Sequence, residues 1–380
     1  MNSLLVKLAQ PFKKINYYLE ANKHTYASAA TALLQKLIAA PSFSKEEYAT
    51  ASILFDYLQH NGVTPNRHLN NVWATNKHFD PTKPTILLNS HHDTVKPNAG
   101  YTIDPYDPII QEGKLYGLGS NDAGASLVSL LHVFLHYYTL EHLAYNIIFA
   151  GTAEEEISGK NGIESLVPHL PAIHCAIIGE PTAMQLAVAE RGLMVLDVVV
   201  PGIAGHAARG EGQNAVYNAL PVIDVFKNFR FSKISELLGP VSQTVTVIET
   251  TNKAHNIVPP DCKLVVDVRV NECYTFEQIL AELHVQINNA AVTVTPRSTR
   301  LQSSAIALDH PLVKAGIAIG SKPYGSPTTS DKALVSFPAL KMGPGESARS
   351  HSADEFVFVE EIEIGIQKYI ELLDQVLLLK

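Results

Sequence analysis

The side chains with the widest chemical reach stand in five short, separated segments. They are His91 in Ser90-His91-His92-Asp93-Thr94, Asp122 in Gly119-Ser120-Asn121-Asp122-Ala123-Gly124, the run Glu154-Glu155-Glu156, Glu180 in Gly179-Glu180-Pro181-Thr182, and His351 in Ser350-His351-Ser352. Two imidazoles and three carboxylates can give each of two zinc ions one His, one terminal carboxylate and a share of a bridging Asp. A coordination position is then left open for water on both ions, which is the mark of hydrolytic rather than structural zinc. The three consecutive Glu side chains cannot all point the same way, so the run alone leaves its ligand and its base unassigned.

Each segment also has a plainer reading. His91 alone could be a hydrogen-bonded imidazole after a strand, and the Glu run could be a solvated helix start where carboxylates favour the dipole. The Gly119 turn could be a phosphate loop, but it lacks a Gly-Lys-Ser/Thr ending and carries an acid where phosphate would be repelled. The five together favour metal. His92 alternates away from His91 in an extended segment and is expected to pack elsewhere.

These side chains need elements to position them. Short apolar strands over 85–88, 146–149 and 173–178 alternate with helical stretches over 123–138 and 162–166, the pattern of an α/β sheet covered by helices. His91, the Glu run and Glu180 each trail a strand, and Asp122 sits in a Gly-rich turn opening a helix, so one crevice at the strand ends can collect them. Ser44 with Glu47 has capping-box spacing before a helix over 47–58. From about residue 187 the pattern shifts to strands over 193–200, 243–248, 263–270 and 291–295 with helices over 214–229 and 276–289, the second begun by a Thr275/Gln278 capping box. That predicts a ββαβ-like insertion. Helices over 310–319 and 359–379 flank His351, so the chain must return to its first domain. The expected organisation is a catalytic α/β domain, a mixed sheet flanked by helices, from 1–186 and 302–380, with a smaller α+β lid and dimerisation domain at 187–301.

At 380 residues, two cores are expected, and 46% hydrophobic content suffices to fill them. A net charge of −8 with interspersed signs gives no basic stripe for nucleic acid and no polybasic segment for a membrane. The apolar patch at 1–18 is too short and too interrupted for a signal sequence, and no later run approaches a membrane span. Three scattered cysteines, Cys175, Cys262 and Cys273, fit a reducing, cytoplasmic setting.

In their order and spacing, His91-x-Asp93-Thr94-Val95, the Asp122 turn, Glu155-Glu156, Gly179-Glu180-Pro181-Thr182, Gly205-His206, Asn256-Ile257-Val258-Pro259 and His351 resemble the zinc amidohydrolase family of acetylornithine deacetylase, succinyl-diaminopimelate desuccinylase, aminoacylase and glutamate carboxypeptidase. The resemblance spans nearly the whole chain. It implies His91 and Glu180 on one Zn2+, Glu156 and His351 on the other, Asp122 bridging, Asp93 orienting His91, and Glu155 as general base. Co2+ is the expected substitute metal. It further implies His206 as a lid donor to the oxyanion in the partner subunit of a homodimer formed through the inserted domain. The implied substrate is a small N-acyl amino acid, with N-acetyl-L-ornithine or its citrulline or succinylated counterpart in arginine biosynthesis foremost. Arg269 is the candidate for the substrate carboxylate, although a salt bridge to Asp267 or Glu272 competes for it, and Asn256 is the candidate for orienting the acyl group. Leu118 and Ala123-Gly124-Ala125 depart from the Arg and Met-Lys-Gly that many relatives carry. The stretch from Tyr116 to Ser126 is most similar to acetylornithine deacetylase-like proteins.

Overall fold

Strands Thr85–His91, Asn146–Thr152 and Cys175–Ile178 are buried along their whole length, as parallel strands covered on both faces must be. The computed structural model describes residues 26–378, so the apolar patch at 1–18 lies outside the described residues. Leu88 stands opposite Phe149 on one side and Ile177 on the other, and His91 stands opposite Thr152, so the three strands end close to one level. Asn71–Thr75 runs antiparallel beside Asn146–Thr152, while Ala339–Lys341 runs parallel beside Cys175–Ile178 and meets Leu186–Glu190 in antiparallel sense. The sheet is mixed, as expected.

The Ala125–Tyr137 helix is buried on nearly every side, because it lies between the sheet and the amphipathic Val359–Leu377 helix. Leu88, Leu130, Phe134, Phe149 and Leu373 share this core, and the Tyr137 hydroxyl donates to Asp374 Oδ1 at 2.7 Å. The Phe356–Phe358 strand pairs antiparallel with Lys114–Tyr116, which draws the segment after His351 to the turn that carries Asp122.

The Ser44/Glu47 capping box does not form. The helix runs Tyr48–His60 without a side-chain cap, and the Ser44 hydroxyl donates to Asp93 Oδ2 at 2.7 Å instead. An ionised acceptor holds a hydroxyl more strongly than a helix-end N–H does with a neutral one. Of the stretch expected to be helical, residues 26–60 are described, and they carry two helices, 26–38 and Tyr48–His60.

Two compact units divide the chain. One comprises residues up to 188 with 306–323 and 330 onward; the other comprises 189–305 with 324–329. In the second unit, strands Gly192–Pro201, Ser242–Glu249, Asp261–Val270 and Thr293–Pro296 form one antiparallel sheet. Helices Ala215–Asn228 and Phe276–Ile287 complete it. The order along the chain is βαββαβ, which corrects the shorter ββαβ reading: the helix starting at Asn214, whose side chain caps it, belongs to the same layer as the second helix. The Thr275/Gln278 capping box forms as read. Among the described residues, no helix is long and apolar enough to cross a membrane.

Candidate active site

His91 is the last residue of its strand and is 1% exposed. Its Nδ1 lies 3.0 Å from the Asp93 backbone carbonyl and 3.4 Å from Asp93 Oδ1. Both partners are acceptors, so Nδ1 carries a proton and Nε2 is the nitrogen left to face the acidic cluster. That Nε2 lies 3.4 Å from Asp122 Oδ1, 3.9 Å from Glu180 Oε1 and 3.9 Å from Glu155 Oε2. On the other side of Asp122, Oδ2 lies 3.7 Å from His351 Nε2, which is 3.0 Å from Glu156 Oε2.

The result is two triads, His91–Asp122–Glu180 and Asp122–Glu156–His351, with one ligand atom from each member within 4.8 Å of the others. Ligand atoms on one tetrahedral zinc stand about 3.3 Å apart at bond lengths near 2 Å, so each triad needs only a small contraction to close on an ion. Asp122 belongs to both triads and offers a separate oxygen to each. Glu154 turns away: its carboxylate accepts from Asn161 Nδ2 at 2.8 Å.

The charges are arranged for cations. Burial, with repulsion from Glu180, Asp331 and Glu156, holds the Glu155 carboxyl well above the usual range against the pull of His91. Burial disfavours the charged form of His91, but Asp122, Asp93, Glu155 and Glu180 outweigh it and hold the imidazole well above its ordinary value. The hydrogen bond to Glu156 raises His351 to about 9. Protons thus stand in for positive charge that divalent ions would supply. His92 behaves differently: burial lowers it to about 4, and its ring lies between the Asn70 carbonyl and the Thr50 hydroxyl, each at 2.9 Å.

A model of the family described as "Peptidase family M20/M25/M40" matches residues 87–375. The chain belongs to that family. It is 25% identical to succinyl-diaminopimelate desuccinylase of Stenotrophomonas maltophilia over 92% of this chain and the whole of that protein. It is also 25% identical to succinyl-diaminopimelate desuccinylase 2 of a Ruegeria species over 69% of this chain and 70% of that protein. Among solved structures, the fold matches aminopeptidase PepT of Bacillus cereus, with a TM-score of 0.73 at 17% identity over 92% of this chain and 98% of that one. It matches YXEP of Bacillus subtilis, a dinuclear metal-binding peptidase of the M20 family, with a TM-score of 0.70 at 14% identity over 92% and 98%. This is therefore an M20 family hydrolase, of a metal-dependent family, with a cluster suited to metal ions.

Two further acids hold the segments around this cluster. Glu355, 1% exposed, accepts N–H groups from Gly119, Asn121 and Asp122 at 3.1, 2.9 and 2.9 Å, and thereby holds the turn that carries Asp122. Burial, followed by the charge of Asp122, raises it to about 8. Asp331 accepts from Asn89 Nδ2 at 3.0 Å and Thr152 Oγ1 at 2.8 Å, tying its turn to the ends of two central strands. The signal for Glu355 was its place four residues after His351; that for Asp331 was the turn it closes, Ser326-Pro327-Thr328-Thr329-Ser330-Asp331, which resembles the family's loops near the substrate.

The remaining candidates lie in the second unit. His206 is exposed, pairs in a short ladder with Ile257, and accepts the Ala208 N–H on Nδ1 at 3.2 Å. Asn256 is exposed, and its carbonyl accepts from Ala207. Arg269 forks onto Asp267, Nε to Oδ1 at 2.8 Å and Nη2 to Oδ2 at 3.1 Å. The competing salt bridge is thus formed, and a substrate carboxylate would have to displace Asp267.

Proposed function

We propose that this chain is a two-metal amide hydrolase that removes the acyl group from a small N-acyl-L-amino acid. The observation that carries the reading is Asp122, whose two oxygens face separate His–carboxylate pairs with Glu155 alongside. His91 and Glu180 would hold one ion, Glu156 and His351 the other, with zinc the first choice because each set combines imidazole with carboxylate. When bound, the two ions acidify a water between them and polarise the acyl carbonyl.

The chain's own residues do the rest. Asp93 fixes the tautomer of His91. Glu155 accepts the proton of the attacking water and returns it to the leaving nitrogen as the C–N bond breaks, releasing the carboxylic acid and the free amino acid. His206, supplied by the second copy of a homodimer formed through the inserted domain, donates to the oxyanion, and Asn256 orients the acyl group. The desuccinylase relatives make N-succinyl-diaminopimelate a substrate to test beside N-acetylornithine and N-acetylcitrulline.

The test is acid release by the zinc-loaded protein from these three compounds and from a panel of dipeptides run in parallel. Turnover of acyl amino acids at least about tenfold above dipeptides supports the proposal. Preference for dipeptides would move the chain to the peptidase branch of the same chemistry, and no turnover of either would reject both.

A further inference from the structure

Glu47 is a fully buried carboxylate that the mechanism above leaves without a task. Its Oε1 accepts the N–H groups of Lys45 and Glu154 at 2.6 and 3.1 Å, and its Oε2 accepts from Asn70 Nδ2 at 2.9 Å. The bond to Glu154 completes a series: four consecutive N–H groups each donate to a side-chain oxygen. Ala153 donates to Asn71 Oδ1 at 3.0 Å, Glu154 to Glu47, Glu155 to Asp93 Oδ1 at 3.0 Å, and Glu156 to Asp93 Oδ2 at 3.2 Å. The segment needs such holding, because Glu154 is left-handed at φ 56° and Ser158 at φ 48°, a conformation non-glycine residues keep only when their surroundings over-determine it.

We infer that Glu47 is a positioning residue for Glu155: by fixing the Glu154 peptide it sets where the base carboxylate stands. The inference rests on the assignment of Glu155 as base, and its geometry comes from outside the metal triads. Asn70 extends the clamp, since its Oδ1 accepts from Arg67 Nη2 at 3.0 Å and its carbonyl faces His92 Nε2 at 2.9 Å. The polarity of the Glu47–Asn70 contact can therefore be reversed by exchange. In Glu47→Gln the new amide NH2 must face donors, either Asn70 Nδ2 or the Lys45 and Glu154 N–H groups. In Glu47→Gln/Asn70→Asp the amide donates to a carboxylate that Arg67 can still bind.

The experiment measures kcat, KM, metal content and amide hydrogen exchange at 153–157 for the zinc-loaded wild type, Glu47→Gln and the exchanged pair. Glu47→Gln should lower kcat about 10- to 100-fold with KM within about threefold, as displacement of a base by up to an ångström does. Metal content should be unchanged, and exchange should speed up at 153–157 and nowhere else to a like degree. The exchanged pair should recover both kcat and protection. If Glu47→Gln does not accumulate folded, Glu47→Asp, which draws the charge back by one methylene, takes its place with the same expected split. Wild-type kcat within about twofold, unaltered exchange at 153–157, or failure of the exchanged pair to recover either quantity would overturn the inference. A wild type that turns over no substrate defeats the hydrolase assignment instead, and exchange at 153–157 still decides whether Glu47 holds the segment.

Discussion

Asp93→Asn tests the packing of the site most sharply. Asp93 Oδ1 accepts the Glu155 N–H at 3.0 Å and lies 3.4 Å from His91 Nδ1; Oδ2 accepts the Glu156 N–H at 3.2 Å and the Ser44 hydroxyl at 2.7 Å. The side chain is 0% exposed, so water cannot replace a missing acceptor. Asparagine has one acceptor oxygen, and either orientation of its amide turns NH2 against the N–H of Glu155 or of Glu156. An orphaned buried donor costs about 1–3 kcal/mol, and a hydrogen bond to an ionised acceptor is worth about 1.5–3 kcal/mol, so Asp93→Asn should lose about 2–4 kcal/mol of unfolding free energy. Ser44→Ala removes one bond and orphans no N–H, and should lose only about 1–2 kcal/mol. Urea denaturation of metal-free protein, followed by fluorescence of Trp73, the chain's one tryptophan, separates these values without interference from metal loss. If Asp93→Asn lies within about 0.5 kcal/mol of wild type, or is no worse than Ser44→Ala, the acceptor role of Asp93 is refuted.

Other predictions follow from the same geometry. Glu155→Gln should keep its metal content and lose about 10²- to 10⁴-fold in kcat; activity near wild type would remove Glu155 as the base. His351, half exposed within the second triad, would be the ligand most easily lost; His351→Ala should lower bound zinc by about one ion per chain in a metal assay. Burial lowers His132 and His136 to about 4. At these two sites the unfolded chain, with ordinary imidazoles near 6.5, binds more protons between those values, so their contribution to stability is complete above about 6.5 and is lost as the pH drops toward 4. Each imidazole should remove up to about 2 kcal/mol at pH 5. Imidazole resonances of His132 and His136 that titrate near 6.5 in the folded protein would contradict this.

The parts of the molecule legible in the sequence are those set by local pattern. His91 and Glu180 follow runs of apolar residues whose strands are buried throughout, and the Thr275/Gln278 pair caps a helix wherever that helix packs. The less legible parts depend on partners distant in sequence. Ser44 and Glu47 have capping spacing, yet each finds a stronger partner, Asp93 for one and the Glu154 peptide with Asn70 for the other. Glu355 reads as one more acid before a strand until folding sets it against three N–H groups more than 230 residues away in the chain. Arg269 shows the converse: its type suits a substrate carboxylate, but Asp267, two residues off on the same face of its strand, is a nearer one.

The central claim is that Asp122 is shared by two cations. Anomalous scattering from crystals of the zinc-loaded protein tests it directly. The account predicts two peaks about 3.5–4 Å apart, one within bonding distance of His91 and Glu180, the other of Glu156 and His351, with Asp122 touching both. A single peak, or two peaks of which Asp122 touches only one, would contradict it.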